Sequence, residues 1–128
     1  MHFEHVAVNV PDPQAMAQWY VTHCGMRIVR SVDAAPYMRF LADATGRVIF
    51  ELYANPEAPI PNYMTQHPLV LHIAFAVADM AATKTRLIEA GATVYSEEVL
   101  PDGSELVMLK DPWGCALQLV RRTTPMGD

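Results

Sequence analysis

The octets HVAVNVPD (residues 5–12) and HIAFAVAD (residues 72–79) align without a gap, 67 residues apart, with four of eight positions identical. After each comes a helical pattern and then a glycine, Gly25 in HCGMRIV and Gly91 in EAGATVY. Further on, FLADATG (residues 40–46) matches MLKDPWG (residues 108–114) at an offset of 68. The closing segments VIFELY and ALQLV return to an offset of 67 and place Glu51 opposite Gln118. A match that keeps its register this far marks an internal duplication.

Local signals give both copies one element order. Residues 5–10 and 70–77 are apolar and rich in β-branched or aromatic side chains, which predicts strands. Asp12 and Asp79 stand where a helix N-cap is needed, and Pro13 suits a first helical position. The first helix presents Met16, Trp19 and Tyr20 on one face, and the second Met80, Lys84, Leu87 and Ile88. Each is expected to stop near its glycine. Three short strands follow in each copy, at about 26–32, 36–42 and 47–53, then at about 93–99, 105–110 and 115–121. The predicted fold is α+β: two βαβββ modules in tandem, forming an incomplete concave sheet or barrel. The modules are expected over residues 1–54 and 70–122, joined by a stiff proline-rich linker (55–69) and followed by a loose tail (123–128).

With 128 residues, 52% of them apolar and 18% charged, the chain suits one folded domain and not a disordered segment. No apolar stretch reaches the length of a membrane span, and no secretory leader is visible at the N-terminus. Cys24 and Cys115 are too few for a disulfide framework and fit a reducing cytoplasm. A net charge of −5 without a Lys/Arg cluster disfavours nucleic acid and anionic membranes as partners.

Side chains alternate across a strand. Val6, Val8 and Val10 share one face, as do Ile73, Phe75 and Val77, Val48, Phe50 and Leu52, and Cys115, Leu117 and Leu119. These faces are expected under the helices. The opposite faces carry His5, Ala7 and Asn9, then His72, Ala74 and Ala76, then Ile49, Glu51 and Tyr53, and last Ala116, Gln118 and Val120. At least one hydrogen-bonding or ionisable group per strand, mostly flanked by alanine, points to a cavity lining. A carboxylate in the apolar run VIFELY needs a metal ion, another cation or water to offset its burial. Two imidazoles, one carboxylate and an amide oxygen suit Zn²⁺, Ni²⁺, Fe²⁺, Co²⁺ or Mn²⁺.

A lone strand histidine is ordinarily a packed or surface residue. His5 and His72 differ because the repeat makes them equivalent, as it does Glu51 and Gln118. His2, His23 and His67 have no twin and are expected on the surface. Asn9 lies on the ligand face, and Tyr37, Tyr53 and Tyr63 suit either packing or substrate contact. Arg39 offers a cation for a substrate anion.

With HVAVNVPD, HIAFAVAD and DPWGCALQL on such a duplicated module, the chain resembles the vicinal oxygen chelate superfamily over residues 3–121. That group holds glyoxalase I, methylmalonyl-CoA epimerase, extradiol dioxygenases, and the fosfomycin and bleomycin resistance proteins. The resemblance places metal ligands on the first and last strands of each module, at His5, Glu51, His72 and Gln118. It also implies a homodimer. Glyoxalase I normally has a glutamate base at the last of these positions, where Gln118 cannot take a proton. The epimerases have His, Gln, His, Glu in chain order, whereas this chain has His, Glu, His, Gln. Gln118 also argues against fosfomycin-type thiol transfer. The function expected is a metal-assisted proton transfer next to a carbonyl, by a lyase or isomerase, with Glu51 as the base. The alternative is a metal-free protein that sequesters a small molecule in the same surface, as bleomycin-resistance proteins do.

Overall fold

The computed structural model describes residues 1–127; Asp128, the end of the expected tail, lies outside them. Two compact units divide the chain, Met1–Pro61 and Asn62–Asp128. The first holds β1 (Val6–Asn9), α1 (Pro13–Cys24), β2 (Arg27–Ser31), β3 (Arg39–Ala42) and β4 (Val48–Tyr53). The second repeats the order with β5 (Ile73–Ala76), α2 (Met80–Glu89), β6 (Thr93–Val99), β7 (Glu105–Lys110) and β8 (Ala116–Arg121). The two sheets run β1-β4-β3-β2 and β5-β8-β7-β6, so the expected tandem βαβββ modules are present as two open four-stranded sheets. Among the described residues, no helix is long and apolar enough to cross a membrane.

The helices begin where the aspartates predict. Asp12 accepts a hydrogen bond from Ala15 N at 3.0 Å, and Asp79 from Ala82 N at 2.9 Å. Gly25 ends α1 as a left-handed C-cap, and Ala90, one residue before Gly91, caps α2. In each unit the first and last strands pair in parallel, with Ala7 opposite Glu51 and Ala74 opposite Gln118. The remaining pairs are antiparallel.

Strand parity predicts most of the buried faces, although Val120, expected on the open face, is buried, and Ile73, Phe75 and Val77, expected under the helices, are half-buried. Val8, Val10, Phe50 and Leu52 are buried in the first unit, with Met16, Trp19 and Tyr20 of α1. Tyr20 meets Phe50 edge to face at 5.3 Å. In the second unit Leu117 and Leu119 are buried with Met80 and Leu87 of α2. Ile88, expected on the packed face of α2, is instead 42% exposed.

The first strand of the second module is shorter than the expected 70–77. Leu69, Val70 and Leu71 read as apolar but are exposed. His67 holds them in a turn, its ring Nδ1 accepting from Leu69 N and its carbonyl from Val70 N. Residues 36–38, expected in a strand, likewise belong to the β2–β3 connection. At the other end, Thr123 N donates to Ser104 Oγ and its hydroxyl to Asp102, so the segment after β8 is tied down at its start.

Candidate functional site

In the first module His5 sits at the entrance to β1 and Glu51 in the middle of β4. Ala7, opposite Glu51 in the parallel pair, offers only a methyl group, which leaves room above it. Into that room come the His5 ring and the Glu51 carboxylate, with Nε2 and Oε2 3.2 Å apart. The side chains are 29% and 16% exposed, so the pair is sheltered yet reachable from solvent. Phe40, the β3 partner of Glu51, stands edge-on to the His5 ring at 5.2 Å. The other ring nitrogen, Nδ1, contacts the Glu4 carboxylate.

This arrangement has an electrostatic consequence. A neutral His5 that donates Nδ1–H to Glu4 turns its Nε2 lone pair toward a Glu51 oxygen. Two acceptors at hydrogen-bond distance repel unless a cation bridges them. A proton, giving imidazolium, meets that need, and so does a metal ion. Two donor atoms each about 2.1 Å from one small cation lie about 3.0–3.4 Å apart in octahedral or tetrahedral geometry. The 3.2 Å spacing falls inside that interval, so the pair fits a divalent metal.

The second module repeats the placement with different chemistry. His72, at the entrance to β5, donates Nδ1–H to the Pro68 carbonyl at 3.0 Å, since a carbonyl only accepts. In the neutral ring this leaves Nε2 as a free lone pair, the way metal-ligating histidines are usually oriented. Gln118, half-buried on β8, has no hydrogen-bond partner among the described residues, leaving its amide oxygen available. Among those residues no three His, Cys, Asp or Glu side chains are grouped as a metal site requires. Each module instead holds one imidazole and one oxygen-bearing side chain at equivalent positions.

The remaining candidates are placed differently. Asn9 shares the face of Glu51, but its amide is committed to the chain after β4. Oδ1 accepts from Asn55 N at 2.8 Å, and Nδ2 donates to the carbonyls of Asn55, Ala58 and Pro59. Tyr53 pairs with Asn9 on that face and is half-buried. Tyr37 is 38% exposed in the β2–β3 connection. Arg39 pairs with Leu52, which turns it to the packed face of the sheet. There its guanidinium donates to the carbonyls of Val32, Tyr37 and Met38 and to Asp33, holding the loop. Tyr63 is buried.

Three contributors carried no sequence signal of their own: Glu4, Phe40 and Pro68 acquire roles only once the strands are paired. Lys110 had a signal, a cation closing the apolar run of β7. It is buried, and its ammonium donates to the carbonyls of Tyr63, Met64 and Gln66 at 2.7–2.9 Å. It clamps the second half of the linker as Asn9 does the first. Cys24 ends α1, and burial, with the Asp111 charge, pushes the Cys115 thiol well above its ordinary range. A cysteine nucleophile is therefore disfavoured at Cys115.

A family model described as Glyoxalase/Bleomycin resistance protein/Dioxygenase superfamily matches residues 2–119. The chain belongs to this superfamily. An ethylmalonyl-CoA/methylmalonyl-CoA epimerase of Cereibacter sphaeroides is 27% identical over 125 residues, covering 90% of this chain and 93% of the relative. Among solved structures, the lactoylglutathione lyase from Agrobacterium tumefaciens matches with a TM-score of 0.67 at 22% identity, covering 94% of this chain and 92% of the other. TnmS3, an antibiotic binding protein from Streptomyces sp. CB03234, matches at 0.70 and 20% identity, covering 96% and 97%. At such identities the structural matches speak for the glyoxalase-superfamily fold. The members named span lyase, isomerase and binder, so the reaction has to be argued from the side chains.

Proposed function

We propose that this chain is a glyoxalase-superfamily enzyme that moves a proton at a carbon next to a carbonyl, in the manner of an epimerase or a glyoxalase-type lyase. Its metal ligands are His5, Glu51, His72 and Gln118. The supporting observation is the approach of His5 Nε2 to Glu51 Oε2, 3.2 Å apart. The epimerase relative supports the isomerase branch. A bound divalent cation, Zn²⁺, Ni²⁺, Fe²⁺, Co²⁺ or Mn²⁺, supplies Lewis acidity that makes a neighbouring C–H more acidic. The chain does the rest. Glu51 takes the proton through a carboxylate oxygen and returns it to the same or a neighbouring atom. His5, held at Nδ1 by Glu4, stands 3.2 Å from that carboxylate. Gln118 cannot accept a proton, so proton traffic runs through the first module.

Metal content per chain, measured by plasma mass spectrometry on protein purified without chelator, should approach one and fall in His5→Ala and Glu51→Ala. Deuterium uptake next to the carbonyl of acyl-CoA epimers or 2-oxoaldehyde hemithioacetals in D₂O should drop about 10²–10⁴-fold in Glu51→Gln. Undiminished uptake in that variant ends the base assignment. A protein that takes up no metal even after soaking ends the ligand set.

A second reading, a metal-free small-molecule binder, draws on the likeness to TnmS3, an antibiotic binding protein. It predicts saturable ligand binding, indifferent to chelator, with no deuterium exchange.

A further inference from the structure

The open face of the second sheet continues past Gln118 into a cavity of about 410 Å³. Ala74, opposite Gln118, and Ala76, opposite Val120, form its floor, and Pro125 and Met126 stand as a wall. The two alanines are why it is open, since any larger side chain there would occupy the space. The volume lies within the range of small-molecule sites, roughly 300–1,000 Å³. Two guanidinium groups border it, and they are not equivalent. Arg121 is spent on Glu105, with Nε donating to Oε2 at 2.6 Å. Arg122 lines the same cavity with no hydrogen-bond or ion-pair partner among the described residues.

An apolar pocket bordered by one uncommitted guanidinium is complementary to an apolar body ending in an anion. We propose that this cavity binds a carboxylate carried on a short acyl chain. Arg122 is its counter-ion through the two-pronged guanidinium–carboxylate contact, and Ala74, Ala76, Val120, Pro125 and Met126 take the hydrocarbon. As a substrate pocket this rests on the proton-transfer function above, because the floor runs directly on from Gln118. As a binding site it needs no metal, and its test is arranged accordingly.

The full chain, stripped of metal by chelator, is titrated calorimetrically with hexanoate and with neutral hexanamide. Hexanoate should bind about tenfold more tightly, the low end of what a charge-assisted contact contributes. Arg122→Gln should erase that preference, Arg122→Lys should retain part of it, and Ala76→Leu, which fills the floor, should weaken both probes. Equal binding of the two probes overturns the proposal, as does a preference that survives Arg122→Gln. Absence of saturable binding for either probe overturns it too. Because the titration is done without metal, failure of the ligand set leaves its outcome unaffected, and the converse holds.

Discussion

Gly46 and Gly114 close the same turn in the two repeats, and substituting each by alanine separates two kinds of cost. In both turns the glycine N–H returns to an aspartate carbonyl, Asp43 at 3.0 Å and Asp111 at 2.9 Å. The aspartate Oδ1 accepts from two backbone amides, those of Thr45 and Arg47 in one turn and of Trp113 and Cys115 in the other. The glycine φ values, +87° and +89°, are nearly identical, so an alanine meets the same left-handed strain at either place. That strain is about 1–2 kcal/mol, offset by about 0.4–1 kcal/mol from the less flexible unfolded chain. Gly46→Ala should therefore cost about 1 kcal/mol, because its nearest neighbour outside the turn is the end of the Arg27 side chain at 3.6 Å. A Cβ on Gly114 would lie 2.5 Å from Met64 N and 2.7 Å from Met64 Cα. Backbone cannot rotate away, so the Met64 segment must shift and strain the Lys110 bonds to Tyr63 and Met64. Overpacking of this kind adds about 1–3 kcal/mol, for a total of about 2–4 kcal/mol. Urea denaturation followed by circular dichroism, with unchanged m-values, measures both variants on one scale. Equal destabilisation within about 0.5 kcal/mol would refute the reasoning, since it would mean that Met64 does not press on Gly114.

Three further outcomes are expected. Lys110→Met removes three bonds from a buried ammonium, worth about 1.5–3 kcal/mol each before the freed carbonyls rehydrate. The variant should lose about 2–3 kcal/mol in the same assay, and a loss under about 1 kcal/mol would show that the clamp is idle. Cys115, its thiol pushed up by burial, should react with iodoacetamide at pH 8 at least about tenfold more slowly in the native than in the unfolded chain, by peptide mapping; equal rates would contradict its burial. The Ser104 backbone N–H, then the Ser104 hydroxyl, hold the Asp102 carboxyl below its ordinary range. Its stabilising effect is therefore complete above that range and is lost as pH falls through the lowered folded value. Thermal midpoints of Asp102→Asn should fall less steeply between about pH 4 and pH 2 than those of the parent, and parallel acid limbs would contradict the assignment.

The duplicated fold was legible because three independent signals agree along the chain: an offset held at 67–68 residues, aspartate caps at both helix starts, and strand parity. Parity also held the answer for Arg39. Leu41 is buried two positions on, so Arg39 had to point the same way, into the packed face where loop carbonyls take its guanidinium. Asn9 was different. Its face was right, but its partners lie 46–50 residues ahead in a segment without periodicity, so nothing local announces them. Leu69, Val70 and Leu71 misled because hydropathy reports what a side chain prefers, while the His67 turn decides where the backbone goes.

The placement of the candidate residues was legible for the same reason as the fold, and its asymmetry follows from it. Duplication puts an imidazole at each strand entrance and an oxygen donor opposite an alanine in each sheet, at Ala7–Glu51 and Ala74–Gln118. Identical scaffolds need not carry identical chemistry. Where the oxygen is a carboxylate, the imidazole meets it at 3.2 Å. Where it is an amide, the imidazole is held at Nδ1 by Pro68, the amide has no partner among the described residues, and the sheet opens into the cavity beside Arg122. The same pair of positions thus holds an imidazole beside a carboxylate in one copy and an imidazole and an amide in the other.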